Sequence, residues 1–135
     1  MFFTKKQSFR DNFSLTDRIA ESKKILCKYP NHIPVIVECD DNVPKLKKYK
    51  YLVPDDVPAS QIIVSIRKNM NVDSATAIFI FADDIMICPS MLMRSLYEQY
   101  LTRKSAKVKN QDEMLDRFFY IYVTFENTFG TSLKI

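Results

Sequence analysis

Ile33-Pro34-Val35-Ile36-Val37-Glu38, then Tyr49-Lys50-Tyr51-Leu52-Val53, then Pro58-Ala59-Ser60-Gln61-Ile62-Ile63: these three runs decide the fold. The first is apolar and rich in β-branched residues, with a proline near its start, and reads as a strand. The second has strand composition and is closed by Pro54. Cys39 to Lys47 reads as the loop between them, so the two strands are expected to form a hairpin. The third run opens with proline in its first turn. It continues with Ile62, Ile63 and Ile66 on one face, which predicts a helix reaching about Asn69.

Upstream, Ser14-Leu15-Thr16-Asp17 has the form of a capping box. Leu15, Ile19 and Leu26 follow at helical spacing, with Ile25 beside them, until Tyr29-Pro30 stops the helix. Downstream, Ala77-Ile78-Phe79-Ile80-Phe81 is a continuous apolar run of strand length, the pattern of a central strand. Ser90 is placed to cap a short helix through Leu92, Leu96 and Tyr97. The polar segment 102–116, with Arg103, Lys104, Lys107 and Lys109, reads as a solvated loop. Phe118 to Phe125 reads as the last strand, and residues 126–135 as a tail. The order helix–β–β–α–β–(α)–β predicts an α+β fold, a ubiquitin-like β-grasp with a four-stranded mixed sheet. The helix after the hairpin crosses the sheet and permits a parallel pairing. The expected divisions are a helical segment over 1–28, the β-grasp domain over 29–125 and the tail over 126–135.

The chain has 135 residues, 47% hydrophobic and 27% charged, a composition that builds one globular core. Met1-Phe2-Phe3 runs straight into Thr4, Lys5, Lys6 and Gln7, so no signal peptide is expected. No run approaches the roughly 18 apolar residues of a membrane span. Cys27, Cys39 and Cys88 are widely spaced and odd in number, which suits free thiols in a cytoplasmic, reducing compartment. The net charge of +4 is compatible with an anionic surface. Yet neither lysine run, 45–50 or 103–109, is accompanied by a stacking motif or recognition helix, and no nucleic acid is expected as a partner.

Enzymatic chemistry finds no support in the residues. With Gly130 as the single glycine, no glycine-rich phosphate loop can form. His32 is the single histidine, and nothing sets a cysteine and an orienting carboxylate beside it. Asp40-Asp41, Asp55-Asp56 and Asp83-Asp84 lie at predicted turns, where carboxylates satisfy backbone N–H groups. Met86, Met91 and Met93 read as packing residues. No enzyme, metal site or cofactor is expected.

Five segments occur in the order of one known family. Lys28-Tyr29-Pro30-Asn31-His32-Ile33-Pro34-Val35-Ile36-Val37-Glu38 resembles a characteristic segment of the autophagy ubiquitin-like modifiers, the GABARAP and microtubule-associated light-chain proteins and their fungal counterpart. Lys50-Tyr51-Leu52-Val53-Pro54, Ile66-Arg67-Lys68, Ala77-Ile78-Phe79-Ile80-Phe81 and Glu126-Asn127-Thr128-Phe129-Gly130 are similar to further segments, so the resemblance spans roughly 9–130. It implies a β-grasp with two additional N-terminal helices. It also implies that a cysteine protease cuts between Gly130 and Thr131, and that E1-like and E2-like enzymes couple Gly130 to phosphatidylethanolamine on autophagosomal membranes. Cargo receptors with aromatic-x-x-aliphatic motifs would then bind two pockets. By matched positions the first takes Glu21, Ile25, Pro34, Lys50, Leu52 and Phe118. The second takes Tyr51, Val53, Pro54, Val57 and Ile62, with His32 and Arg67 at its margin. An unconjugated peptide-binding adaptor is the alternative.

Three departures from the family pattern stand out. His32 replaces an arginine, which makes a charged contact there pH-dependent. Ser65 stands where a pocket leucine is usual. The 102–116 segment is about a dozen residues longer than expected, long for a structureless loop, and leaves Tyr120 as the alternative to Phe118.

Overall fold

A computed structural model describes residues 8–43 and 46–125; the expected attachment and cleavage positions Gly130 and Thr131 lie outside the described residues. Ten elements follow in order: α1 (Phe9–Asn12), α2 (Leu15–Lys28), β1 (His32–Cys39), β2 (Lys50–Pro54), α3 (Ala59–Met70), β3 (Phe79–Ala82), β4 (Ile85–Met86), α4 (Met93–Lys107), a 3-10 turn (Gln111–Leu115) and β5 (Phe119–Thr124). The strands form one mixed sheet in the order β2-β1-β5-β3-β4. The expected hairpin is present, β1 pairing antiparallel with β2. The parallel pair is β1 with β5.

The α+β grasp and both N-terminal helices are as expected, but the sheet has five strands and not four. Ile85 and Met86 pair with Ala82 and Phe81 across the Asp83-Asp84 turn, a ladder too short to leave a sequence pattern. β3 begins at Phe79, two residues later than its apolar run. The segment expected as a solvated loop is mostly ordered secondary structure. α4 runs on through Lys107, and a 3-10 turn follows. Its residues are polar because one side of the helix faces water, while Arg, Lys and Ala carry good helix propensity. Ser90 does not cap this helix: Leu92 takes the N-cap position with no side-chain bond.

Ser14 does cap α2, accepting from the Asp17 N–H at 3.1 Å. The full reciprocal box forms one helix earlier, where the Ser8 hydroxyl accepts from Asp11 N–H and the Asp11 carboxylate accepts from Ser8 N–H, both at 3.1 Å. Among the described residues, two that are not glycine take the left-handed conformation that glycine usually supplies. Asn71 ends α3 at φ 55° and Asp83 turns the β3–β4 hairpin at φ 58°. Asn and Asp tolerate that region best among residues with a Cβ.

Strand alternation sorts the core into two layers. In β1, β2 and β5, paired residues share a face, so Ile33, Val35, Tyr51, Val53 and Phe119 point to one side. That side carries α3 and α4: the Tyr51 hydroxyl accepts from Asn69 of α3 at 3.0 Å, and the Phe119 ring meets Tyr100 of α4 at 4.8 Å. Pro34, Ile36, Lys50, Leu52 and Tyr120 point to the other side, with Phe118 in phase just before β5. α1 and α2 cover it, the Phe9 ring lying 5.2 Å from Phe118 and the Arg10 guanidinium 3.9 Å over Tyr120.

Candidate peptide-binding edge

Among the described residues, β2 is the outermost strand on its side of the sheet, with β1 as its one neighbour. Its burial alternates: Lys50, Leu52 and Pro54 are exposed, while Tyr51 and Val53 are buried. The two expected pockets therefore flank one strand edge from opposite faces. Lys50, Leu52 and Pro34 lie on the α1/α2 side, with Ile25 and Glu21 on α2. Tyr51 and Val53 lie on the α3 side with Ile62, which is buried in α3, and Val57, which is half-buried just before it. The pleat separates Pro54 from Tyr51 and Val53 and aligns it with His32, its register partner. The His32 ring meets Tyr29 edge-on at 5.7 Å. Arg67 turns from the strand edge to donate to the Thr76 carbonyl at 2.7 Å.

On the α1/α2 side a groove of roughly 360 Å³ opens between Phe9 and Phe13, the α2 residues Asp17, Glu21 and Lys24, and Lys50. Glu21 and Lys50 are expected members of the first pocket; Phe9, Phe13, Asp17 and Lys24 join them in the structure. The overlooked signal is Ser8-Phe9-Arg10-Asp11, a second S-x-x-D six residues before Ser14. Phe118 and Tyr120 do not reach the surface: both are buried beneath Phe9, Phe118 with 1% exposure.

On the α3 side a polar group surrounds Tyr51. Its hydroxyl donates to the Lys48 carbonyl at 3.3 Å, and the Lys48 ammonium sits 4.8 Å over its ring. Asn69 also donates to the Ser65 carbonyl at 2.9 Å, and the Ser65 hydroxyl donates to the Gln61 carbonyl at 3.2 Å. Burial raises the Tyr51 pKa, partly offset by the Asn69 bond, so the phenol stays protonated.

A buried polar knot holds α2 against the sheet. Asp116 accepts from Arg18 Nη1 at 2.9 Å, the Tyr120 hydroxyl at 2.6 Å and the Phe118 N–H at 3.1 Å. Arg18 Nε also donates to the Phe13 carbonyl at 3.1 Å, and Lys104 of α4 donates to the Asp116 carbonyl at 2.7 Å. The Ser22 hydroxyl, fully buried on α2, accepts from the Arg117 N–H at 3.0 Å. Burial pushes the Lys104 pKa down, against the Asp116 charge that supports it. Among the described residues, no group of three His, Cys, Asp or Glu side chains could hold a metal ion. Nor is any helix there long and apolar enough to cross a membrane.

Comparison with known proteins places this geometry in a family. The family described as "Autophagy protein Atg8 ubiquitin like" matches residues 17–130. "Autophagy-related protein 8" of Schizosaccharomyces pombe is 38% identical, covering 93% of this chain and 96% of its own length. "Autophagy-related protein 8D" of Oryza sativa subsp. japonica is 36% identical, covering 93% of this chain and 99% of its own. Among solved structures, Plasmodium falciparum Atg8 in complex with a Plasmodium falciparum Atg3 peptide superposes with a TM-score of 0.71 at 29% identity, covering 90% of this chain and 98% of that one. Trypanosoma brucei ATG8, with the same TM-score of 0.71 at 21% identity, covers 88% of this chain and 94% of its own, and shares the fold.

Proposed function

Because the chain belongs to the Atg8 ubiquitin-like family of autophagy proteins, we propose that it acts as a non-enzymatic, lipid-conjugated modifier whose β2 edge captures aromatic-x-x-aliphatic peptides. The division of the pocket residues between the two faces of one open strand edge carries this reading. A guest strand added to β2 alternates its side chains between those faces. Residues three apart differ by an odd step, so the aromatic and aliphatic positions point to opposite faces. One enters beside Lys50 and Leu52, and the other beside Tyr51, Val53, Val57 and Ile62. The unpaired backbone groups of β2 supply the main-chain hydrogen bonds. The Atg3 peptide held by the Plasmodium falciparum relative supports peptide capture, and by extension an E2-like partner for this chain.

In this reading a cysteine protease removes Thr131-Ser132-Leu133-Lys134-Ile135. The new Gly130 carboxylate is activated with ATP by an E1-like enzyme and passed as a thioester to an E2-like one. It ends in an amide with the amine of phosphatidylethanolamine. A residue without Cβ passes a narrow enzyme channel that any other would obstruct. The two acyl chains of the lipid give the stable anchorage on autophagosomal membranes that a single chain does not.

Titration of a labelled aromatic-x-x-aliphatic peptide tests the edge. Wild type should bind with micromolar Kd, about −8 kcal/mol. Leu52→Ala and Lys50→Glu, both at exposed positions of β2, should each cost ~1 kcal/mol or more. Chemical-shift changes clustering away from residues 49–54 would refute the placement.

A further inference from the structure

Phe118, the deepest member of the expected first pocket, lies out of reach. Its ring is 1% exposed and sits under the Phe9 ring, 5.2 Å between centroids. With α1 docked, a peptide side chain on this face meets Phe9 and not Phe118. The space that does open has buried Phe9 at its base and Phe13 on its flank. Phe13 touches Phe9 at 4.7 Å, yet is 40% exposed. At roughly 360 Å³ the groove lies near the lower end of ordinary ligand sites, ~300–1,000 Å³, which suits one large side chain rather than a folded surface. Its rim sets Asp17 and Glu21 against Lys24 and Lys50, two charges of each sign, so it favours a neutral apolar occupant. Arg18, the remaining cation there, is committed to Asp116 and to the Phe13 carbonyl.

α1 is four residues long and closes its own capping box, so that box does not hold it to the body. Phe9 and Arg10 do. The Arg10 guanidinium lies 3.9 Å over the Tyr120 ring and donates to Glu38 at 3.2 Å. We propose that α1 is a wall of the aromatic pocket. The aromatic side chain of the bound peptide packs against Phe13 over Phe9, and Arg10 is the positioning residue that holds this wall in place. The inference rests on the β2-edge reading and adds to it the residues that grip the aromatic position.

The test is a double-mutant cycle on the full chain, with Phe13→Ala crossed against Trp→Ala in a Trp-x-x-Leu peptide. Phe13→Ala should weaken the Trp peptide about five- to tenfold. It should leave the Ala peptide's affinity unchanged, a coupling that a merely structural role would not produce. Arg10→Ala should weaken the Trp peptide as well, and Arg10→Lys should restore part of the loss through its retained charge. Peptide should also slow amide exchange at Asp11, Asn12 and Phe13, because binding and docking of α1 are reciprocal. Zero coupling at Phe13, or tighter binding by Arg10→Ala, would overturn the proposal, the latter by making α1 a competitor of the peptide. If Leu52→Ala weakens binding and Phe13→Ala does not, the edge reading stands and this inference falls. If wild type binds no such peptide, both fall.

Discussion

Replacing Asp116 with alanine should unfold this protein far more readily than any other single carboxylate change on the α1/α2 face. The carboxylate is almost wholly buried, and its partner Arg18 keeps only 15% of its side chain exposed. The substitution strips an acceptor from three donors at once: Arg18, the Tyr120 hydroxyl and the Phe118 N–H. Breaking a buried pair by removing one member costs about 3–5 kcal/mol. Arg18 retains its bond to the Phe13 carbonyl, so the lower end applies to it. The two neutral donors add about 1 kcal/mol each, and relief of the carboxylate's own desolvation returns part. The net expectation is a loss of about 4 kcal/mol, against a total of roughly 7–20 for a chain of this length. With a urea slope of about 2 kcal/mol/M, the midpoint should fall by about 2 M. Arg18→Ala combined with Asp116→Ala should be less damaging than the two losses added, because no charge is then left unpaired. A loss below ~1 kcal/mol, or strict additivity, would refute this account of the knot.

Other outcomes follow from the same geometry. Burial raises the pKa of Tyr100 and Tyr120 well above the usual phenol value, and burial with the nearby Asp40, Cys39 and Asp41 pushes Tyr122 up to about 12. The folded state then holds phenol protons that the unfolded chain releases near pH 10. Stability should be complete below about pH 10 and fall as pH rises towards 12, seen as a declining urea midpoint. Tyr122→Phe should flatten part of that decline. Ser65→Leu should tighten binding of peptides with a large aliphatic residue if the side chain reaches the second pocket, and calorimetry showing no change would place it outside. Gly130→Ala should greatly slow tail removal or lipid coupling, read by intact mass, while peptide binding stays unchanged; normal lipidation would refute the attachment residue. Cys88 is exposed, and bonding to Ser90 lowers its thiol pKa. It should alkylate ahead of Cys39, and Ser90→Ala should narrow the difference.

How much could be read in advance depended on whether an element left a periodic signature. β1, β2 and α3 did: a strand buried on both faces writes a continuous apolar run, one buried on a single face writes period 2, and a helix buried on one face writes period 3.6. α4 did not. Its inward positions Met93, Leu96 and Tyr100 are followed by Arg103 and Lys104, which turn inward to meet Asp83 and the Asp116 carbonyl. Polar residues serving tertiary partners look like solvated ones when the partners are unknown. β4 was too short to leave a pattern, and α1 was expected through the family resemblance alone, although its capping box is written at Ser8 and Asp11. The alternation that exposes Lys50 and Leu52 and buries Tyr51 and Val53 was legible in the strand pattern. The burial of Phe118 was not, because it depends on where Phe9 packs, a contact more than a hundred residues distant in the chain. Glycine scarcity has a physical counterpart here: Asn71 and Asp83 serve the two left-handed positions among the described residues.

The two sides of the β2 edge are not equivalent, and the difference bears on how a peptide would be held. On the α1/α2 side, Leu52 is 39% exposed and Phe13 40%, so apolar surface is already in water and its burial is a direct gain on binding. On the α3 side, Tyr51, Val53 and Ile62 are each less than 10% exposed, and Tyr51 is tied to Asn69 and Lys48. A side chain entering there must first displace packing or settle over the polar group formed by Ser65 and Asn69. Surface that is already buried contributes nothing further when a guest covers it, and separating Tyr51 from its partners costs hydrogen bonds. The aromatic residue of a guest should therefore supply most of the affinity, while the residue three positions on sets register. Truncating the aromatic residue to Ala should cost several times more binding free energy than truncating the aliphatic one. Equal losses would mean that the α3 side opens on binding, and that Tyr51 releases Asn69 as it does so.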